Sequence, residues 1–335
     1  LIQTQLIESG PTNARLLKVT VGKKQFATPT YFPAISKKEI RDPDDRFLEF
    51  LTSFRYPRLL VSAYDYGRLD TASERRAIGR LSDYYRRGSI ILLDSGVFES
   101  YWRGDARWTF RRYREAVKNV DSDIYFGFDL LAENNDANKA SHLKMTLKNI
   151  SDSFELADGN QCVPIVHAKN PTLLIELVKE LIGRNSEMFE SLGVSERELG
   201  SSISERSITV MKLRKLVGGR EGGLLHILGC GDPVSMAVYS YAGADTFDSL
   251  DWAVSACDPF EDRLVDFSHF ELLHCKCEVC RKSSVNPLSK VFLHNLLFYQ
   301  NYSLKLQAMI KQGTLKDYLL AMTGKELLTR LARNG

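Results

Sequence analysis

"SIILLDSG", residues 89–96, is an unbroken aliphatic run that stops on an aspartate followed by serine and glycine. A strand that is apolar on both faces has to be covered on both, which is the situation in a parallel sheet flanked by helices. Outward in both directions, runs of the same kind recur. They are "FATPTYFP" (26–33), "RLLVSAY" (58–64), "DIYFGFDLL" (123–131), "CVPIVHA" (162–168), "LGSSIS" (199–204), "LLHILGCG" (224–231) and "ADTFDSL" (244–250). Helix-period segments lie between several of them, at 71–87, 137–156, 173–182 and 208–217. Eight such units predict an α/β fold, a (β/α)8 TIM barrel within residues 1–265. "LGSSIS" is the weakest strand of the eight, because serines and a glycine fill it. An open doubly wound sheet is the alternative, disfavoured because no glycine fingerprint follows the first strand.

The ends of these runs are polar. Asp94 closes the third, Asp129 the fourth, His167 the fifth, Gly229 to Gly231 the seventh and Asp248 the eighth. In a barrel those ends converge on one mouth, where active sites sit. A single carboxylate there reads equally well as a helix N-cap. Three of them, each inside an apolar run, point to a shared polar pocket. Paired carboxylates without a cofactor motif suit chemistry at an acetal-type carbon, one attacking the sugar carbon and one moving protons. Neither GxGxxG in a βαβ context nor a P-loop is present, which disfavours a nucleotide cofactor. A metal hydrolase is the rival, but His142, His167 and His226 stand at no metal-ligand spacing.

With 44% hydrophobic and 26% charged residues, the composition is that of a soluble globular protein. A net charge of +3 does not by itself announce a nucleic-acid partner. The stretch 101–118, "YWRGDARWTFRRYREAVK", interleaves five arginines with aromatic residues, a mixture suited to a polyanion that carries bases. Taken alone, it reads as an amphipathic helix with Trp108, Tyr113 and Val117 inward and a solvated basic face. No apolar run approaches the roughly 20 residues a membrane span needs, and the first residues lack the sections of a secretory signal. The expected location is the cytoplasm.

Three of the six cysteines crowd into six positions, as Cys275, Cys277 and Cys280, with His294 fourteen residues further on. In a chain of this size, clustered cysteines are metal ligands before they are disulfides. C-x-C-x2-C followed by x13-H supplies four ligands, enough to close a tetrahedral zinc site. With no position left for water, such a site is structural. His269 and His274 lie nearby, but His274 adjoins Cys275 and would have to fold back, so His294 fits better. A small C-terminal zinc-binding helical subdomain, residues 266–335, is expected.

At this point the chain resembles the tRNA-guanine transglycosylases and their DNA-acting relatives over nearly its whole length. "FATPTYFPAIS" looks like the family's opening strand, and "LLDSGVFE" resembles its DSGGFQ loop at Asp94, Ser95, Gly96 and Phe98. "GFDLLAE" resembles the strand end that carries Asp129. "VPIVHA" stands where the family has a VQGG-like strand, with His167 in place of glutamine. "LGSSISE" stands where residues of the base pocket lie, "HILGCGDP" resembles YLMGVGTP, and "GADTFDSLDW" resembles the archaeal GxDLFDSAxY. The cysteine motif and "HNLLFYQ" complete the set.

The resemblance implies Asp248 as nucleophile, expelling guanine from C1′ and forming a covalent glycosyl-enzyme that an incoming 7-deazapurine base displaces. It implies Asp94 as the proton-transferring group. Asp129 would read the guanine edge, and Phe98 and Leu228 would sandwich the base. Ser95, His167, Gly200, Ser201 and Gly229 would complete the pocket. The zinc would be structural. A target base must leave its stack to enter such a pocket.

Several departures bear on the substrate. The gap between Cys280 and His294 is shorter than in the tRNA enzymes, His167 replaces a base-reading glutamine, and Val97 and Glu99 alter the DSGGFQ loop. The sequence given ends with "LLTRLARNG" (327–335), so a body without the RNA-binding module of many archaeal members is expected. These features resemble the DNA-guanine transglycosylase branch and favour DNA, with a 7-cyano-7-deazaguanine-type base, over tRNA as substrate. A helper protein that opens the duplex and a homodimer are further expectations, and Lys305 and Lys311 are candidate phosphate contacts. The alternatives are a tRNA-guanine transglycosylase, a non-catalytic accessory subunit, which three retained aspartates argue against, and a glycosidase on free saccharide.

Overall fold

The computed structural model describes residues 2–10, 13–37, 45–69, 71–131, 139–157, 161–218 and 222–334. Its centre is a ring of eight parallel strands: β4 (Thr30–Ile35), β5 (Arg58–Ser62), β6 (Ile90–Asp94), β7 (Ile124–Phe126), β8 (Cys162–Val163), β9 (Leu192–Ser195), β10 (Leu225–Leu228) and β11 (Thr246–Ser249). They pair in chain order from β4 to β8 and from β9 to β11, and β11 pairs with β4. A parallel bridge between Ile165 and Gly193 closes the ring, with the Gly193 N–H donating to the Pro164 carbonyl at 2.8 Å. A Cβ at Gly193 would come within 3.2 Å of Ile165 and 3.4 Å of Phe126, so this closure favours glycine.

The sixth strand departs from the reading of the sequence. It is "LGVS", Leu192–Ser195, and not "LGSSIS". In the latter segment the Ser202 side chain accepts the Glu205 N–H and caps the helix Ile203–Leu216, the usual work of serine before an apolar-periodic run. The first run also divides, into β3 (Lys24–Ala27) and β4. The helices expected at 71–87, 173–182 and 208–217 are observed as Ala72–Arg86, Pro171–Arg184 and Ile203–Leu216. The helix expected from residue 137 is described from Lys139 to Phe154, its first two positions lying outside the described residues.

Strand periodicity sorts side chains between the lumen and the helical shell. Phe32, Ala34, Leu60, Ile90, Leu92, Ile124, Phe126, Val163 and Ile165 fill the lumen, while Ile91, Leu93, Val61 and Phe247 pack outward under the helices. Two residues per repeat then places Asp94 on the lumen face after Ile90 and Leu92, and His167 after Val163 and Ile165. The same rule aligns His226 with Leu228 and Thr246 with Asp248.

An antiparallel sheet the sequence did not reveal closes the opposite end: β1 (Ile2–Ser9), β2 (Arg15–Val21) and β3. Its buried Leu17, Val19 and Val21 join the lumen cluster. Arg15 is buried on Asp245, with Nε to Oδ1 at 2.9 Å and Nη2 to Oδ2 at 2.7 Å. Asp245 also accepts the Leu225 N–H at 2.8 Å. These charges lie at the N-terminal ends of β10 and β11, the end of a barrel that serves stability.

After the barrel come the hairpin β12 (Ser255–Asp258) and β13 (Arg263–Asp266), a 3-10 segment Phe267–Leu273, and the long helix Pro287–Gln312. That helix is tied to the barrel. Tyr299 stacks on Tyr31 at 3.8 Å and 11° and donates its hydroxyl to the Gly231 carbonyl at 2.9 Å. Asn295 accepts the Cys257 N–H at 2.9 Å and donates to the Trp252 and Ser255 carbonyls at 2.9 and 2.7 Å. Lys305, read as a phosphate contact, is instead committed to Asp262 and lies 4.8 Å from the Tyr318 ring centre. Among the described residues, no helix is long and apolar enough to cross a membrane.

Candidate active site

Asp94 leaves β6 at the mouth, and the chain turns sharply there so that the Gly96 N–H donates to Asp94 Oδ2 at 3.0 Å. Gly96 has φ +75°, and a Cβ there would lie 2.4 Å from Tyr64 Cβ, so the turn requires glycine. Burial raises the Asp94 carboxyl first, and the charges of Asp129 and Asp248 raise it further, to about 7. A carboxyl poised there can give a proton and take one back at neutral pH. Glu99, one turn on in the helix Val97–Trp102, is buried and held well above the ordinary carboxyl range, chiefly by burial and then by Asp94 and Asp65.

This electrostatic cost has a measurable consequence. A folded-state pKa above the ordinary carboxyl value means that the folded chain holds this proton more tightly than the unfolded one. Asp94 therefore subtracts stability progressively as pH rises from about 4 through 7. Asp94→Asn removes that penalty. Thermal melts are expected to show the variant gaining on the wild type at pH 8 and gaining little at pH 4; an equal effect at both would contradict the assignment.

Asp129 lies across the mouth, buried, and accepts hydrogen bonds from Ser95 Oγ and from His167 Nε2, the latter at 2.8 Å. The other ring nitrogen of His167, Nδ1, meets Glu198 Oε1 at 2.7 Å, and the second Glu198 oxygen accepts the Ala168 N–H at 3.0 Å. Two carboxylate partners require both ring nitrogens to carry protons. Burial by itself lowers the imidazole pKa, but Glu198 and Asp129 outweigh it and raise it to about 10. Glu198 was missed in the sequence, where nothing marks it among the charged residues 196–198; only the turn after β9 brings it to the site.

Asp248 ends the lumen face of β11. Its Oδ1 accepts from His226 Nε2 at 2.9 Å and from the Gly229 N–H at 3.4 Å. His226 Nδ1 pairs with Thr246 Oγ1 at 2.8 Å, and the ring donates through Nε2 to the Asp248 carboxylate. Among the described residues, no hydrogen bond engages Asp248 Oδ2. The carboxylate is thus held through one of its two oxygens. In the sequence His226 stands at no metal-ligand spacing, and its place two residues before Leu228 on a lumen-facing strand is the one signal of its contact with Asp248.

The remaining expected residues are placed as follows. Ser95 is buried and links Asp129 to the turn through the Val97 N–H at 3.1 Å. Phe98 is half-buried, with the Arg197 guanidinium 4.9 Å from its ring centre. Leu228 is half-buried at the end of β10, and Gly229 follows it. Gly200 and Ser201 lie in the turn after β9. There the Gly200 carbonyl accepts from Arg206 Nε at 2.8 Å and the Ser201 N–H donates to Glu205 at 2.7 Å. Those two backbone groups are occupied from the helix side.

Cys275, Cys277, Cys280 and His294 converge elsewhere, with ligand atoms all within 4.8 Å of one another. The Cys277 and Cys280 sulfurs are 3.6 and 3.4 Å from His294 Nδ1. Metal–sulfur bonds near 2.3 Å give tetrahedral ligand edges of about 3.5–3.8 Å, so the spacing fits a Cys3His metal site. His294 Nε2 donates to the Cys257 carbonyl at 2.7 Å, which leaves the Nδ1 lone pair facing the thiols.

A family model described as "Queuine tRNA-ribosyltransferase" matches residues 10–258, the whole barrel. The chain belongs to that family. Relatives of similar sequence carry the name tRNA-guanine(15) transglycosylase. The protein of Thermococcus kodakarensis is 23% identical over 330 residues, covering 92% of this chain and 55% of the relative. Those of Pyrococcus furiosus and Nanoarchaeum equitans are 24% and 22% identical over 90% of this chain, covering 53% and 73% of the relatives. The chain spans about half the length of most of these relatives.

Proposed function

We propose that the protein exchanges guanine in a nucleic acid for a free 7-deazaguanine base, with Asp248 as nucleophile. The observation that carries this reading is the Asp248 carboxylate, held through Oδ1 by His226 and Gly229 and opposed by Asp94. Asp248 Oδ2 attacks C1′, the bond to the base nitrogen breaks, and the proton of Asp94 neutralises the departing base. The incoming base gives a proton to Asp94 and attacks C1′, freeing Asp248. Asp129, Ser95 and His167 hold the base edge, with Phe98 and Leu228 on its faces. Because Asp129 already carries the His167 imidazolium, an entering base shares that carboxylate with it.

The names of the relatives favour tRNA as the acceptor. The shortened cysteine-to-histidine gap and the histidine in place of glutamine are the features that keep DNA as a second reading, with a 7-cyano-7-deazaguanine-type base. From residue 266 on, the cysteine cluster and its helices serve as a structural zinc subdomain. Labelled guanine supplied with tRNA, single-stranded DNA or duplex DNA separates these readings: incorporation into tRNA alone removes the DNA reading. Failure in all three removes catalysis by this chain alone. His226→Phe, which deletes a hydrogen bond to a charged group, is expected to lower the exchange rate by about ten- to a hundredfold. An unchanged rate would mean that Asp248 needs no such anchor.

A further inference from the structure

The basic and aromatic stretch 101–118 divides in the structure. Trp108 and Tyr113 are inward, as an amphipathic reading requires, with Trp108 Nε1 donating to the Ser95 carbonyl at 3.1 Å. Tyr101 and Trp102 are outward, at 39% and 51% exposure, whereas the other tryptophans, Trp108 and Trp252, are 7% and 0% exposed. Half of an indole left in water is unfavourable by its apolar area, and adjacent exposed aromatics mark contact surfaces.

Their place relates them to the mouth. They end the short helix that begins directly after the Asp94–Gly96 turn. The Trp102 ring meets Phe98 edge-on at 6.1 Å and Tyr101 edge-on at 5.5 Å. Phe98 in turn lies under Arg197, whose neighbour Glu198 holds His167. An aromatic ledge therefore runs from the base pocket outward over one helix. Residues 101–118 carry six cations against two carboxylates. Arg107 pairs with Asp105, whose side chain is mostly covered, whereas Arg111 pairs with Glu115 on exposed surface, where such a pair holds weakly and a phosphate can displace it.

We propose that Trp102, supported by Tyr101, is a stacking platform for a base beside the exchanged nucleotide, in an unpaired stretch of the nucleic acid, with the arginines of 103–114 gripping its phosphates. The inference rests on the nucleic-acid reading above and deepens it. An unstacked neighbour loses its partner when the target base leaves the stack, and an exposed indole one ring away from the pocket restores that contact.

Trp102 is the tryptophan most exposed to a quencher, so intrinsic fluorescence reports on it. The full chain is titrated with guanine-containing single-stranded RNA, the matching DNA, and polyphosphate, with base exchange measured in parallel. Both strands, or the one that is the substrate, are expected to quench the emission, and polyphosphate is not. Trp102→Phe should abolish most of the quenching while keeping most of the affinity. Trp102→Ala should weaken strand binding by about tenfold, with the loss of exchange falling in KM. Exchange that proceeds with unaltered strand affinity in Trp102→Ala overturns the platform alone. Quenching by polyphosphate, or retained in Trp102→Phe, also overturns it. Absence of both strand binding and exchange in the wild type overturns the platform together with the function on which it rests.

Discussion

Asp248→Ala is expected to abolish base exchange, with a loss of about 10^4-fold or more, while leaving the barrel folded. The size follows from the role. Without the carboxylate no covalent intermediate forms, and the remaining route is direct displacement at C1′ by a weak nucleophile. Position explains why little else can substitute. Asp94 and Asp129 share the mouth, but Asp129 is committed to Ser95 and His167, and Asp94 holds its proton up to about neutral pH. His226 and Gly229 would lose a partner on the same oxygen, so a modest fall in stability accompanies the change. Asp248→Asn keeps the shape and can still accept from His226, and is expected to be equally inactive. Residual exchange at more than a hundredth of the wild-type rate in either variant, measured by incorporation of labelled guanine, would remove Asp248 from the nucleophile's role.

The second large effect concerns the metal centre. Cys280→Ser is expected to lose the bound metal, one zinc per chain in the wild type, and to lower the melting midpoint by about 5 °C or more. The lever is the helix Pro287–Gln312. Its His294 joins the cysteine cluster to the Cys257 carbonyl, and the next residues, Asn295 and Tyr299, fasten it to the barrel just beyond β11. Releasing the cluster loosens the support beneath Ser249, whose carbonyl and hydroxyl are held by Tyr31 at 2.8 and 2.9 Å, one residue from Asp248. Metal analysis and thermal melts check this together. A variant that loses its metal with no change in melting would show that the cluster is not structural.

The barrel was legible because its strands are buried on both faces and read as separate aliphatic runs. Asp94 and Asp248 could be found for the same reason, since a carboxylate closing such a run has only the mouth to occupy. β9 was missed because four residues with a glycine at the closure carry almost no apolar signal, and Gly193 is there to let Ile165 and Phe126 approach. The N-terminal sheet was missed because its alternation begins in a polar strand, Ile2–Ser9, that is largely exposed. Glu198 and His226 show the limit more sharply. Their roles are contacts with His167 and Asp248, which exist only once β9 and β10 are side by side with their neighbours. The cysteine cluster, by contrast, was legible in the sequence: its spacing marked the three cysteines and favoured His294 over His269 and His274, and the structure brings those same four residues together.

The central claim is a glycosyl bond to Asp248, and trapping that bond tests it most directly. The protein is mixed with its nucleic acid without an incoming 7-deazapurine, denatured, and examined by denaturing electrophoresis and mass spectrometry of the cleaved peptide. A strand-linked species is predicted, attached at Asp248, chased by added guanine and absent from Asp248→Ala. Exchange that proceeds with no adduct at Asp248, or with an adduct on another residue, would contradict the account.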